Sequence, residues 1–174
     1  MSANSTRSVE AGEELPDFCR AETVVMGCGN VLLGDDGFGP AVVSYLRQAG
    51  GVRDSVALLD AGSGISRLLF DIALAPSRPR KLVVVDAMKL GLPAGTVSCV
   101  PLDSFETRST RVFAEHQEPT SCLLKELRDM AGIEVVLVAG EPELMPEEVC
   151  PGLSHVMKQA VIEAARLIAS ELAA

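Results

Sequence analysis

Four stretches of this chain carry side chains able to do chemistry, and three of them directly follow an apolar run. VVMGCGNVLLGDDGFGPAVV, Val24 to Val43, sets Asp35 and Asp36 side by side among glycines. Asp60 follows the second run in LLDAGSG, and Asp86 the third in VVVDAMK. His116 lies in the long irregular stretch DSFETRSTRVFAEHQEP, Asp103 to Pro119, and loops of that length inside compact domains are often functional. Asp36, Asp86 and His116 would come from three separate loops. Two carboxylates and one imidazole form a ligand set suited to a divalent transition metal, with positions left open for water or another ligand. Aspartates held close repel one another, and a cation removes that cost.

Each residue also has a plainer reading. Asp36 precedes Gly37, Gly39 and Pro40, so it could merely cap the helix that Pro40 opens. Asp60 and Asp86 could be turn formers. Cys28, between two glycines, reads more naturally as a small buried thiol than as a nucleophile. His155 shares a helical stripe with Gln159, Glu163, Arg166 and Ser170, which is a solvated face, and it is set aside. A nucleotide cradle fits poorly. GCGNVL has Leu32 where GxGxxG needs its third glycine, and Asp35 and Asp36 stand where a pyrophosphate would sit. No nucleotide cofactor is expected, although a methyltransferase-like cofactor site with a looser glycine loop stays open.

These loops need a frame. Val24–Met26, Val56–Leu59, Leu82–Val85 and Val135–Ala139 are short apolar runs typical of strands covered on both faces, with Thr96–Val100 a weaker fifth. LGLPAGTV reads as a hairpin-like connection into that weak strand. Helical spacing recurs at Val42, Leu46 and Ala49, and at Leu68, Leu69 and Ile72. It returns at Leu123, Leu124, Leu127 and Met130, after Pro119, Thr120 and Ser121, and along Leu153 to Ile168. Alternating strands and helices predict a mainly parallel sheet with helices on both sides, and ligands then bind beyond the C-terminal strand ends.

The 174 residues suit one domain, expected over residues 21–174 after a flexible acidic tail over residues 1–20. Net charge is -9, which argues against nucleic acid and against anionic membranes as partners. Five cysteines without a CxxC pair, and no secretory leader, point to a reducing cytoplasm.

GCGNVLLGDDGFGPAVV, LLDAGSGISRLL, VVVDAMKLGLPAGTV, EHQEPTSCLLKEL and VVLVAGEPE together resemble, in order and spacing, the hydrogenase maturation endopeptidases. The DDGFG wording is most similar to the branch serving deazaflavin (coenzyme-F)-reducing hydrogenases of methanogenic archaea. The resemblance implies a three-layer αβα sandwich with a mainly parallel, five-stranded twisted sheet. It implies an endopeptidase that removes a C-terminal extension from the large-subunit precursor of a [NiFe] hydrogenase after nickel insertion. Asp36, Asp86 and His116 match the family's metal-contacting positions, the nickel being supplied by the precursor. Asp60, with Gly62 and Asn30, is expected to bind substrate, although Ala61 and Ser63 depart from the family's Asp-Gly-Gly-Thr. The glycines of the first loop would then let backbone approach the substrate's metal centre, with Asp36 pointing into the crevice and Asp35 supporting it. A non-catalytic metallochaperone binding the same precursor is the alternative of a different class. Glu141 reads as a carboxylate on a solvated rim, with no role. Oligomeric state is open, and a monomer suffices.

Overall fold

A computed structural model describes residues 16–105 and 118–173. Five strands, β1 (Thr23–Cys28), β2 (Val56–Gly62), β3 (Lys81–Ala87), β4 (Val97–Val100) and β5 (Glu134–Gly140), form one sheet in the order β2-β1-β3-β5-β4. All neighbours are parallel except β4, which runs antiparallel to β5 on the sheet edge. The expected hairpin-like link into the fifth strand is therefore not one, because β5 inserts between β3 and β4. What sequence proximity suggested, the ladder reverses: Val97 pairs with Gly140, not with β3.

The helices are α1 (Phe38–Ala49), α2 (Ile65–Leu74), α3 (Glu118–Ala131) and α4 (His155–Glu171). The two-residue alternation of each central strand sorts them into layers. Val24, Met26, Cys28, Leu82 and Val84 pack with Ile65, Leu69 and Ile72 of α2 and Leu124 and Leu127 of α3. Val25, Val83 and Val85 pack on the opposite face with Val42, Val43 and Leu46 of α1 and Met157, Ala160 and Ala164 of α4. The three-layer αβα sandwich with its mainly parallel five-stranded sheet follows from that sorting. Cys28 and Asp86 share the strand parity of Met26 and Val84, so both lie on the α2–α3 side.

Asp17–Arg20 forms a 3-10 turn that buries Cys19 completely, so packed chain begins before residue 21. The rest of the expected tail, residues 1–15, lies outside the described residues, as does His116.

Candidate active site

The loop between β1 and α1 is built around two close approaches. A Cβ at Gly39 would stand 2.4 Å from Val85 O and from both Cys28 N and O, so glycine lets the start of α1 lie directly on β1 and β3. That is the packing role a third fingerprint glycine would have had, moved along the chain to residue 39. Gly29 has φ +119°, and a Cβ there would meet the Asp36 carbonyl oxygen at 1.8 Å. These glycines bring the loop onto the protein's own backbone.

The paired aspartates diverge. Asp36 does not cap α1, whose N-cap is Gly37 without a side-chain bond. Its Oδ2 accepts the Asn30 N–H at 2.7 Å, and the residue lines a cleft. Asp35 is fully buried and faces the other way. Its Oδ2 accepts the N–H groups of Glu143 and Leu144 at 2.9 and 2.8 Å, and its Oδ1 that of Ser154 at 2.7 Å. Three charge-assisted bonds tie the first loop to the segment between β5 and α4. Asp35 is thus bound to a distant loop rather than to the cleft.

The cleft has a volume of about 320 Å³ and opens at the C-terminal edge of the sheet on the α2–α3 side. Cys28, Val84, Ile65, Leu124 and Leu137 give it apolar walls, while Asn30, Asp36 and Asp86 supply polar groups at the strand ends. Asp86 is buried, and its Oδ1 accepts the Ala87 N–H at 2.9 Å. Across from them lie Ser63 before α2, Ser66 in its first turn, and Thr120 and Ser121 in the first turn of α3, with Ser66 Oγ and Thr120 Oγ1 3.0 Å apart. Sequence reading did not assign these hydroxyls to the site. The signal available was the capping-type composition of Pro119–Ser121, which marks a helix start but not where it points.

Gly62 and Asn30 line this cleft, but Asp60 does not. β2 continues through Asp60 to Gly62, and a register shift opposite Gly27 and Cys28 puts Cys28 against Gly62. Asp60 is exposed, its Oδ1 accepts the Gly62 N–H at 3.1 Å, and it lines a neighbouring groove with Val31, Gly34, Gly37 and Gly152. Asp60 thus lies on the far side of the first loop from Asp86.

Cys28 is 4% exposed, and burial pushes its thiol well above the usual range, with Asp86, Asp60 and Asp36 each pushing it further. Ionising it would add negative charge to a buried, carboxylate-rich site, so it stays a neutral thiol and a poor nucleophile. Among the described residues no three His, Cys, Asp or Glu side chains converge as a metal site. The site within view is two carboxylates over an apolar wall. Glu141 also departs from expectation. It is buried, and its two oxygens accept the N–H groups of Leu90 and Gly91 at 2.7 and 3.2 Å, which pins the turn after β3.

Residues 40–171 match the family model of the hydrogenase maturation proteases, HycI. A protein of Methanocaldococcus jannaschii provisionally named a hydrogenase maturation protease is 35% identical over 155 residues, covering 88% of this chain and 97% of that one. Coenzyme F420 hydrogenase subunit delta of Methanothermobacter thermautotrophicus is 34% identical over 161 residues, 87% of this chain and 95% of that one. Among solved structures, the hydrogenase maturating endopeptidase HybD from Escherichia coli superposes with a TM-score of 0.72 at 25% identity, covering 87% of this chain and 91% of that one.

Proposed function

This chain belongs to the hydrogenase maturation protease family and is a peptidase, and we propose that it cuts a C-terminal extension from the nickel-loaded large-subunit precursor of a [NiFe] hydrogenase. Membership of a peptidase family removes the support for the metallochaperone and methyltransferase-like alternatives. The relative that is a coenzyme F420 hydrogenase subunit supports a deazaflavin-reducing hydrogenase as the source of the precursor.

The observation that carries the reading is that Asp36, from the turn before α1, and Asp86, from the end of β3, line one cleft. With His116 from the loop before α3, they would bind the nickel the precursor already carries, so that metal loading licenses cleavage. Hydrolysis adds water across one peptide bond: the oxygen goes to the acyl carbon and the departing nitrogen takes a proton. The two carboxylates hold the metal-bearing segment against the cleft and can accept the proton that the attacking water loses. The cleft's apolar walls exclude competing water and strengthen these charges. Asn30 and Gly62 would receive the substrate backbone.

Mixing the protein with nickel-loaded and nickel-free precursor, and weighing the products, tests this. A discrete C-terminal peptide should be released from the loaded form alone. Equal cleavage of the nickel-free form would end the licensing role, and normal cleavage by His116→Ala would remove that histidine from the site.

A further inference from the structure

The segment between β5 and α4 does more than connect. It is zipped to the first loop by the Asp35 carboxylate and by backbone bonds: Cys150 N–H to Leu32 O at 2.8 Å, Gly34 N–H to Cys150 O at 2.8 Å and Asp35 N–H to Leu144 O at 3.0 Å. Leu33 and Cys150 form an isolated parallel bridge. The two loops therefore form one ordered ledge, and Leu33 is shared between that ledge and the wall of the cleft. The ledge exposes large apolar side chains: Leu32 at 48%, Leu144 at 51% and Val149 at 72%. Glu143, Glu147 and Glu148 are exposed in the same segment. None of these three carboxylates has a cationic partner among the described residues.

The cleft itself is the size of a small-ligand site. It can seat a few residues of a chain, whereas recognition of one folded protein takes about 800 Å² from each partner. More surface must be used, and this ledge is continuous with the cleft. An apolar centre rimmed with acid selects a partner whose own apolar patch is rimmed with Lys or Arg. The rigid backing matters too, because an ordered ledge loses little entropy on docking.

We propose that the ledge of Leu32, Leu144 and Val149, rimmed by Glu143, Glu147 and Glu148, docks a basic-rimmed apolar patch on the folded body of the precursor whose extended tail enters the cleft. The proposal rests on the peptidase reading above for the identity of the partner. The test is to measure Kd for nickel-loaded precursor, by biolayer interferometry at two salt concentrations, together with kcat and KM for cleavage. The wild type is compared with Leu32→Ser/Val149→Ser and with Glu147→Lys/Glu148→Lys. All four positions are exposed, so the variants should fold, and a melting curve checks this.

The apolar double variant should bind at least about tenfold more weakly, raising KM with kcat nearly unchanged. The charge-reversed variant should associate more slowly at low salt and lose the salt dependence of the wild type. Unchanged Kd and KM in both variants would overturn the ledge while leaving the peptidase reading intact. Patch-dependent binding without any cleavage would do the reverse. A wild type that does not bind the loaded precursor at all would overturn the ledge as well. So would a wild-type dimer that the apolar variant splits with precursor affinity unchanged, since a second copy would then be the occupant.

Discussion

Asp35 and Glu141 on one side, and Asp36 and Asp86 on the other, are four acidic residues near one edge of the same sheet, and they differ in where their bonds go. Asp35 accepts from residues 108 to 119 positions away, and Glu141 from residues 50 and 51 away. Asp36 accepts from six residues away and Asp86 from its immediate neighbour, and both line the cleft. The first pair holds distant loops in place, and the second pair lines the cleft beside them, Asp36 from the turn before α1 and Asp86 from β3. A carboxylate with several backbone N–H donors is a fastener whose charge is already neutralised by dipoles. Asp36 and Asp86 instead line the cleft.

The largest effect that could break this contrast is on stability at Asp35. Asp35→Ala removes the acceptor of three part-buried N–H bonds and should lower the unfolding free energy by about 3 kcal/mol, read by urea denaturation. A loss below about 1 kcal/mol would mean that water replaces the carboxylate and that the ledge is not fastened there. Glu141→Ala should cost about 2 kcal/mol by the same route, since two N–H groups are stranded.

The smallest effect concerns Cys28. Its thiol is held neutral, so a thiol reagent at pH 8 should modify the exposed Cys99, Cys122 and Cys150 well before Cys28, as peptide mapping would show. The sign of the linked stability follows from the raised value. Above about pH 8.5 the unfolded thiol loses its proton while the folded one keeps it. Stability from this group is therefore full at lower pH and falls as pH rises, by about 1.4 kcal/mol per unit at most. Cys28→Ser should leave that alkaline slope shallower.

Much of the frame was legible because both faces of the central strands are covered. Val24–Met26 and Leu82–Val85 announce themselves as continuous apolar runs, and α1, α2 and α4 by their spacing. The place of β4 was not legible, since Thr96–Val100 follows β3 in sequence but pairs beyond β5. Strand order is set by long-range pairing that no local pattern carries. At the site, Asp36 and Asp86 could be read as strand-end carboxylates in a predicted crevice, and they do share a cleft. Asp60 pairs with Gly27, so strand alternation turns it to the face opposite Cys28 and Asp86 and into a neighbouring groove, which only the register reveals. Glu141 looked solvated because its donors, Leu90 and Gly91, lie about fifty residues upstream. The pocket hydroxyls of Ser66 and Thr120 depend on two helix starts meeting, which only the tertiary structure supplies.

The central claim is that Asp36 and Asp86, unlike their fastener neighbours, act on the substrate. Intact-mass time courses of nickel-loaded precursor with wild type, Asp36→Asn and Asp86→Asn test it most directly, with melting curves on the same samples. The account predicts release of the C-terminal peptide by wild type, at least a hundredfold slower release by either variant, and melting temperatures close to wild type. Cleavage by both folded variants within tenfold of the wild-type rate would contradict it.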